Sequence, residues 1–197
     1  MGFQYPGRAL FVDWSVNIPS GVTRVTGGEG SGKSTLLRLL AGDLAAQAGQ
    51  LAINHTSLTD EPLAYQQQVF WTDPRSKAFD RVTVADYFES VRKLYPGFDD
   101  AALAQVVPAL SLTEHQHKPI HMLSAGSKRK VWFAAAFASR AAVTLLDQPF
   151  TALDKPSIQL VLNLLVEAAN HRTRAWLVAD YAAPEGVPLA CTIDLGD

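Results

Sequence analysis

The sequence of 197 residues has a single cysteine, Cys191, which excludes an internal disulfide framework and indicates a reducing compartment. Its longest uninterrupted apolar run, Val131 to Ala138, is far shorter than the ~20 residues that cross a bilayer. The N-terminus lacks a basic patch followed by an apolar stretch, so we expect no secretory signal. Lysine and arginine total 17 against 19 acidic residues, and the resulting net charge of −2 predicts no nucleic-acid partner.

Strand and helix patterns alternate in the first and last parts of the chain. Hydrophobic residues make up 48% and charged residues 18% of the sequence, which is ordinary for a soluble α/β protein. The runs "LFVDWSVNI", "GVTRVTG", "GQLAIN", "QVFWT", "AVTLLD", "AWLVA" and "CTIDL" predict short strands. Helices are predicted from Gly32 to about Gly42 and from about Pro156 to Asn170. Because strands that alternate with helices form parallel sheets, the sequence predicts an α/β fold.

Residues 75 to about 139 differ from both ends, because they hold helical patterns and no convincing strand. The patterns are "VADYFESVRKLY", "DDAALAQVVPAL" and "SAGSKRKVWFAAAFASR". We interpret this stretch as an α-helical subdomain inserted into a single domain that spans 1–197. The core then consists of residues 1–74 and 140–197.

The stretch "GGEGSGKST", residues 27 to 35, matches the phosphate-loop pattern G-x-x-x-x-G-K-[ST] between a predicted strand and a predicted helix. Glycines let successive backbone N–H groups point at phosphate oxygens, and the helix N-terminus adds its positive dipole end. The lysine is expected to reach the β- and γ-phosphates, and Ser34 to bind Mg²⁺. The predicted phosphate-binding residues are Gly27, Gly30, Ser31, Gly32, Lys33, Ser34 and Thr35.

The phosphate loop alone does not choose among kinases, GTPases and transport ATPases. However, "LSAGSKRK", residues 123 to 130, precedes the strand that ends in Asp147, and "FTALD", residues 150 to 154, follows that strand. In this order the motifs resemble those of an ABC-type ATP-binding cassette, and the resemblance runs over nearly the whole chain. It implies a P-loop NTPase core, in which a mostly parallel sheet with a small antiparallel β part carries an inserted α-helical subdomain.

The resemblance also implies ATP and Mg²⁺ as cofactors and a head-to-tail dimer with a second ATP-binding cassette, identical or different. An integral membrane permease subunit is the implied partner, so the chain would be cytoplasmic and peripheral at the inner face of the membrane. Within the family, "LSAG", "PFTALD" and the small size look like the haem-exporter subunit of cytochrome c maturation, although those strings recur in other exporters.

Several residues outside the phosphate loop take roles from the resemblance. Ser124, Ala125 and Gly126 match the signature loop that caps ATP held by the second subunit, and Ser124 also suits a helix N-cap. Asp154 matches an acid at the dimer interface, and it equally suits the N-cap of the helix that follows. Tyr5 matches the aromatic residue that stacks on adenine, or else packs on the core.

Three positions depart from the family pattern, and all of them bear on hydrolysis. Thr72 stands where the family has a glutamine near Mg²⁺ and the attacking water, and Gln148 replaces the catalytic glutamate. Asp180 replaces a histidine at the γ-phosphate, with Ala179 as the alternative one residue earlier. A neutral amide cannot accept a proton, and a general base contributes roughly 10²- to 10⁴-fold in rate. A carboxylate also repels phosphate. Asp147 still fits the acid that orients Mg²⁺ through water, so we predict ATP binding with slow or absent hydrolysis.

Two alternatives to a transporter subunit stay open. In the first, the chain is a regulatory module in which nucleotide closes a dimer without being consumed. In the second, it is a phosphate-loop kinase of a small molecule, which accounts for the length but not for the motifs around 123 and 150. A glutamine at position 148 also suits an engineered trap, although three separate departures favour a naturally degenerate site.

A cluster of histidines precedes the signature motif. His115, His117 and His121 lie within seven residues, but no cysteine or acid completes a convincing set of metal ligands. We interpret the cluster as part of a solvated loop, with metal binding as the alternative.

Overall fold

The central sheet has five strands in the order β6-β7-β8-β3-β9, and each pair of neighbours is parallel. The computed structural model describes residues 1–73 and 75–196, so Pro74 and Asp197, both assigned to the predicted core, lie outside the described residues. Two antiparallel pairs, β1 with β2 and β4 with β5, accompany the sheet, which confirms a mostly parallel sheet with a small antiparallel part. The strands are β1 Phe3–Tyr5, β2 Arg8–Phe11, β3 Gly21–Thr26, β4 Ala52–Ile53, β5 Thr56–Ser57, β6 Val69–Phe70, β7 Val143–Asp147, β8 Ala175–Ala179 and β9 Cys191–Asp194.

The described residues form six α-helices beside the sheet. They are α1 Lys33–Leu40, α2 Pro62–Gln66, α3 Val84–Leu94, α4 Asp100–Ala109, α5 Ala125–Ser139 and α6 Lys155–Ala169. Three of them, α3, α4 and α5, fall in the stretch that was predicted to be helical, where an isolated bridge also joins Thr83 and Pro119. The division into a core and an inserted subdomain stays a prediction. Within 1–73 and 75–196, no helix is long and apolar enough to cross a membrane.

Some predicted strands were too long. In the parallel sheet, the strand predicted in "QVFWT" shortens to β6, Val69–Phe70. The strand predicted in "LFVDWSVNI" ends at Phe11, because Asp13 takes a positive φ of 48° that breaks the extended backbone. The strand predicted in "GQLAIN" shortens to β4, because Asn54 and His55, with φ of 48° and 69°, form a two-residue hairpin turn into β5. Helix α2, which begins with Pro62 at its first turn, was not predicted from the sequence.

The sheet separates two hydrophobic clusters, and the alternation of β8 shows how. Trp176 and Val178 pack in the cluster that includes α3, α4, α5 and α6. Leu177 and its two neighbours on the same face, Ala175 and Ala179, pack in the cluster that includes α1. All five residues of β8 are buried, so the central position of this strand follows from its uninterrupted apolar sequence.

Strand register brings the predicted site residues to one edge of the sheet. Asp147 at the end of β7 lies opposite Ala179 of β8, which in turn lies opposite Val25 of β3. The residues that follow these strands are therefore neighbours at the carboxyl edge. Ligands of open parallel sheets bind at this edge. Asp180 directly follows β8 here, and the phosphate loop directly follows β3.

Candidate functional site

The phosphate loop curls tightly between β3 and α1. Gly27, Gly30 and Gly32 have φ of 147°, 76° and 103°, a region of backbone conformation that favours glycine. A Cβ on Gly27 would lie 2.5 Å from Ser31 Oγ and 2.8 Å from the carbonyl oxygen of Gly196, so no larger residue fits without movement. The close approach of loop segments therefore requires the glycine that begins the motif.

Lys33 lies folded inside this loop and is 7% exposed. Its ammonium group donates to the carbonyl oxygens of Gly27 and Gly28, each at 2.7 Å, and lies 4.4 Å from the ring centre of Tyr181. Ser31 Oγ is buried and, among the residues that the structure describes, has no hydrogen-bond partner. A buried ammonium group, an unpartnered hydroxyl and the start of α1 meet in one loop, and together they fit a phosphate group.

Tyr5 lies beside the first turn of α1. Its hydroxyl oxygen is 3.4 Å from Thr35 Oγ1, and the residue is 40% exposed. Its ring packs against that of Phe3 in a T-shaped arrangement, with ring centres 5.0 Å apart. The structure therefore brings Tyr5 to the phosphate loop while leaving much of its ring surface accessible.

Gln148 is held by its backbone at the end of β7. Its φ of 46° lies in the left-handed region, its N–H donates to the carbonyl oxygen of Ala179 at 2.8 Å, and its own carbonyl oxygen accepts from Arg129 Nη1 at 2.7 Å. Arg129 Nη1 also donates to the carbonyl oxygen of Asp147 at 3.4 Å. Burial lowers the pKa of Arg129, while Asp147 and Asp180 oppose that change. The half-buried guanidinium group of Arg129 thus holds the backbone carbonyl groups of both Asp147 and Gln148.

Asp180 is half-buried at the end of β8 and close to Asp147. Burial raises the pKa of the Asp180 carboxyl, and the charge of Asp147 adds to the rise. Hydrogen bonds from the backbone N–H groups of Tyr181, at 2.7 Å, and Ala182 oppose this rise in pKa, as does Arg129. Two carboxyl groups therefore share this edge of the sheet, and oxygen donors of this type suit Mg²⁺.

Thr72 follows β6, and its hydroxyl faces helix α3. Thr72 Oγ1 lies 3.2 Å from the hydroxyl oxygen of Tyr87, a buried residue of α3. A small cavity of about 40 Å³ is lined by Thr72 together with Arg129 and Asp147. The hydroxyl of Thr72 already has a protein partner, so it is not a free metal ligand in this conformation.

The signature segment begins helix α5. Ser124 Oγ accepts from the backbone N–H of Ser127 at 3.1 Å, so its predicted N-cap role is confirmed. A Cβ on Gly126 would lie 2.4 Å from the carbonyl oxygen of Ala152, so this position needs a glycine. Ala125 lies between them in the first turn. No hydrogen bond among the described residues joins this segment to the phosphate loop, and the structure does not bring these two predicted nucleotide contacts together within one chain.

The basic residues after the signature have partners inside the chain. Lys128 Nζ lies 3.1 Å from a carboxylate oxygen of Asp80, and Lys130 Nζ lies 2.6 Å from one of Asp154. Asp154 also accepts from the backbone N–H of Ser157 at 2.9 Å, which confirms it as the N-cap of α6. Lys130 and then Ser157 lower the pKa of Asp154. The two lysines of this run therefore form ion pairs with acidic side chains of the same chain.

Residues 12–151 match the protein family described as ABC transporter. The chain belongs to the ABC transporter family. It is 31% identical over 168 residues to the cytochrome c biogenesis ATP-binding export protein CcmA of Pseudomonas syringae pv. syringae (strain B728a), covering 84% of this chain and 78% of that protein. The predicted resemblance to the subunit of cytochrome c maturation is therefore matched by a protein of cytochrome c biogenesis.

Two solved structures share the ABC ATPase fold. An ATP-binding subunit of an ABC transporter superposes with a TM-score of 0.80 at 21% identity, covering 90% of this chain and 76% of that one. CbiO1 from Clostridium perfringens, part of the ABC transporter complex CbiONQ, superposes with a TM-score of 0.65 at 22% identity, covering 92% of this chain and 76% of that one. These likenesses confirm the predicted P-loop NTPase fold.

Two residues that contact this ABC-type site were missed in the sequence. Arg129 was not named as a candidate site residue, yet it lies three and four residues before the buried Trp132 and Phe133 of α5. That spacing places it on the same helical face and was the available signal. Tyr181 follows Asp180 directly, and nothing in its local sequence indicates that its ring lies over Lys33.

The histidine cluster is spread over two short turns. His115 Nδ1 lies 3.0 Å from Lys118 Nζ, and His121 Nδ1 lies 2.8 Å from the carbonyl oxygen of Asp80. Across 1–73 and 75–196, no three His, Cys, Asp or Glu side chains are grouped to hold a metal ion. These contacts give His115 and His121 local hydrogen-bonding partners.

Proposed function

We propose that this ABC transporter ATP-binding subunit holds Mg-ATP at the phosphate loop, closes head-to-tail on a second cassette, and hydrolyses ATP slowly or not at all. The observation that carries the proposal is the sheet edge beyond the loop. There Gln148 offers an amide, Thr72 is hydrogen-bonded to Tyr87, and Asp180 is a half-buried carboxyl group.

Nucleotide binding rests on the phosphate loop and Tyr5. Lys33 would exchange its two carbonyl partners for phosphate oxygens, and Ser31, which lacks a partner among the described residues, would donate its hydroxyl. Gly27, Gly30, Gly32 and Thr35 complete the loop, and the exposed ring of Tyr5 is available for stacking on adenine. Ser34 and Asp147, the latter through water, would hold Mg²⁺, which supplies charge neutralisation at the phosphates.

The expectation of slow hydrolysis rests on the chemistry of the Gln148 and Asp180 side chains. Gln148 can hydrogen-bond a water molecule but cannot take its proton, and its backbone is held by Ala179 and Arg129. The charge of Asp180 opposes a phosphate, since like charges ~4 Å apart near a protein surface interact by about 4 kcal/mol. Gln148 can therefore help to position the attacking water but does not act as its base.

Closure on a second cassette would use the signature segment and Asp154. Ser124, Ala125 and Gly126 begin α5, and Gly126 touches the backbone of Ala152 in the loop that leads to Asp154. The contact leaves no room for a side chain, so the signature segment and this loop are expected to move as one unit. We propose that the second cassette meets both, and that an integral membrane permease holds the chain at the inner face of the membrane.

One preparation of purified chain tests binding, closure and turnover together. We expect saturable binding of a fluorescent ATP analogue with Mg²⁺, an ATP-dependent rise in mass by light scattering, and phosphate release near background. Rapid steady-state release would contradict slow hydrolysis but leave binding intact. Phosphate transfer to a small acceptor without dimerisation would favour the kinase alternative.

A regulatory module without transport is the second candidate, and the engaged Thr72 hydroxyl favours it. The two candidates differ in their partner. Purification of tagged chain from its native membranes with a multi-span protein, retained in ATP, would support the transporter subunit. Recovery of ATP-dependent dimers from the soluble fraction alone would support the regulatory module.

A further inference from the structure

A cavity of about 290 Å³ lies between α4, α5 and α6, near the amino end of β8. Its volume is near the lower end, about 300 Å³, of known small-molecule sites. Arg140, Glu167, Arg174 and Trp176 are among its lining residues. Because β3, β7 and β8 run parallel, and the phosphate loop follows the carboxyl end of β3, the cavity lies at the opposite end of the sheet. It is therefore separate from the proposed nucleotide site.

Two buried donors on the lining of this cavity lack acceptors. Arg174 Nε donates to the carbonyl oxygen of Ala141 at 3.0 Å, and the guanidinium lies 5.2 Å from the ring centre of Trp176. Arg174 Nη2 and Trp176 Nε1 are both buried, and neither has a hydrogen-bond partner in the part of the chain that the structure describes. Trp176 is 1% exposed. Buried donors nearly always have a partner. Both residues line the cavity, so an acceptor bound there can supply one when these donors turn toward it.

Arg174 indicates that this acceptor is an anion, because it has no ion-pair partner among the described residues, although the carboxyl groups of Asp99 and Glu167 also line the cavity. Arg140 pairs with Asp99 at 2.8 Å, whereas Arg174 takes part in no ion pair within 1–73 and 75–196. Burial, and then the charge of Arg140, lowers the pKa of Arg174 to about 10, so the group stays charged at neutral pH. Glu167 is exposed at the edge of the cavity. A water molecule could satisfy the N–H groups, but it would not offset this half-buried charge.

We propose that the cavity binds a small oxyanion, a carboxylate or a phosphate, through Arg174, with Trp176 as a second donor and Arg140 at the rim. The planar guanidinium matches both anions, because its parallel N–H groups can bind two oxygens at once. The site has its own residues and does not depend on nucleotide binding.

Thermal unfolding of the full chain tests the site. Inorganic phosphate and acetate are titrated separately at constant ionic strength, in a Lys33→Ala background that weakens anion binding at the phosphate loop. We expect each anion that binds to raise the Tm. Arg174→Gln should raise the half-saturating concentration at least tenfold, and Glu167→Gln should lower it several-fold because a like charge is removed. Arg172→Gln, an exposed arginine nearby, is the matched control and should leave the response unchanged.

The two anions and the variants separate the outcomes. A response to acetate alone identifies a carboxylate ligand, and a response to phosphate alone identifies a phosphate; either supports the site if Arg174→Gln removes it. An equal Tm response before and after Arg174→Gln overturns the proposal. Should Arg174→Gln fail to fold by circular dichroism, Arg140→Gln, whose side chain is 57% exposed, replaces it. The half-saturating anion concentration should then rise several-fold, and an unchanged concentration overturns the proposed site.

Discussion

The phosphate loop and the sheet edge beside it belong to one site, but they depart from the family pattern to very different degrees. Residues 27–35 keep every position of the phosphate-loop motif, and Lys33 and Ser31 are placed to receive phosphate. At the adjoining edge, Thr72, Gln148 and Asp180 stand where the resemblance predicts a glutamine, a glutamate and a histidine that support hydrolysis. Binding a nucleotide and hydrolysing it place separate demands on the sequence, and we predict that this chain meets the first better than the second.

The largest expected effect comes from restoring the hydrolytic edge. The combination of Thr72→Gln, Gln148→Glu and Asp180→His should raise steady-state phosphate release by roughly 10²- to 10⁴-fold, because a general base contributes about that much. Release is measured with Mg-ATP on purified chain. The same triple variant with Lys33→Ala added is the control, and it should return to background.

Gln148→Glu alone shows how the three departures share this effect. A gain equal to that of the triple variant would contradict the importance we give to Thr72 and Asp180. A gain well below it is expected, because the hydroxyl of Thr72 is hydrogen-bonded to Tyr87 and the carboxyl group of Asp180 still faces the site.

Breaking the phosphate loop should have the next largest effect. Lys33→Ala removes a charged donor that now makes two hydrogen bonds, and a charged hydrogen bond contributes ~1.5–3 kcal/mol. We therefore expect ATP affinity to fall by roughly 10- to 100-fold in a fluorescent-nucleotide titration. Lys77→Ala, an exposed lysine outside the loop, should bind as the parent does. Unchanged affinity in Lys33→Ala would show that nucleotide binds elsewhere.

The features that could be predicted from the sequence are those determined by residues a few positions apart. The caps of α5 and α6 by Ser124 and Asp154 depend on residues three positions away, and both were predicted. The burial of β8 follows from five consecutive apolar residues. By contrast, the contact of Gly126 with Ala152 and that of Lys33 with Tyr181 join segments that only the folded sheet brings together. The strand that contains β4 was predicted too long and β5 was missed, because the Asn54–His55 turn between them was not recognised.

The carboxyl group of Asp180 should couple folding and binding to pH. Its pKa is raised in the folded chain by burial first, so its contribution to stability is present below the unfolded pKa of about 4 and is lost as pH rises through the folded value. Asp180→Asn should therefore stabilise the chain more at pH 7 than near pH 4, as measured by urea unfolding. Removing the charge should also strengthen ATP binding several-fold at neutral pH. Asp60→Asn, an exposed carboxylate, is the control, and an equal pH profile in both variants would contradict the assignment.

The smallest effect is expected at Tyr181, whose ring lies over the ammonium group that phosphate would use. A cation–π contact contributes ~0.5–1 kcal/mol at an accessible site, and Tyr181 is 54% exposed. Phosphate must compete with this contact and with two carbonyl oxygens for Lys33. Tyr181→Ala should therefore strengthen ATP binding by roughly two- to fivefold, whereas Tyr181→Phe, which keeps the ring, should change it little. If Tyr181→Ala binds ATP more weakly while Tyr181→Phe does not, the ring contacts the nucleotide. Tyr181 would then belong to the nucleotide-binding residues and would not compete with phosphate for Lys33.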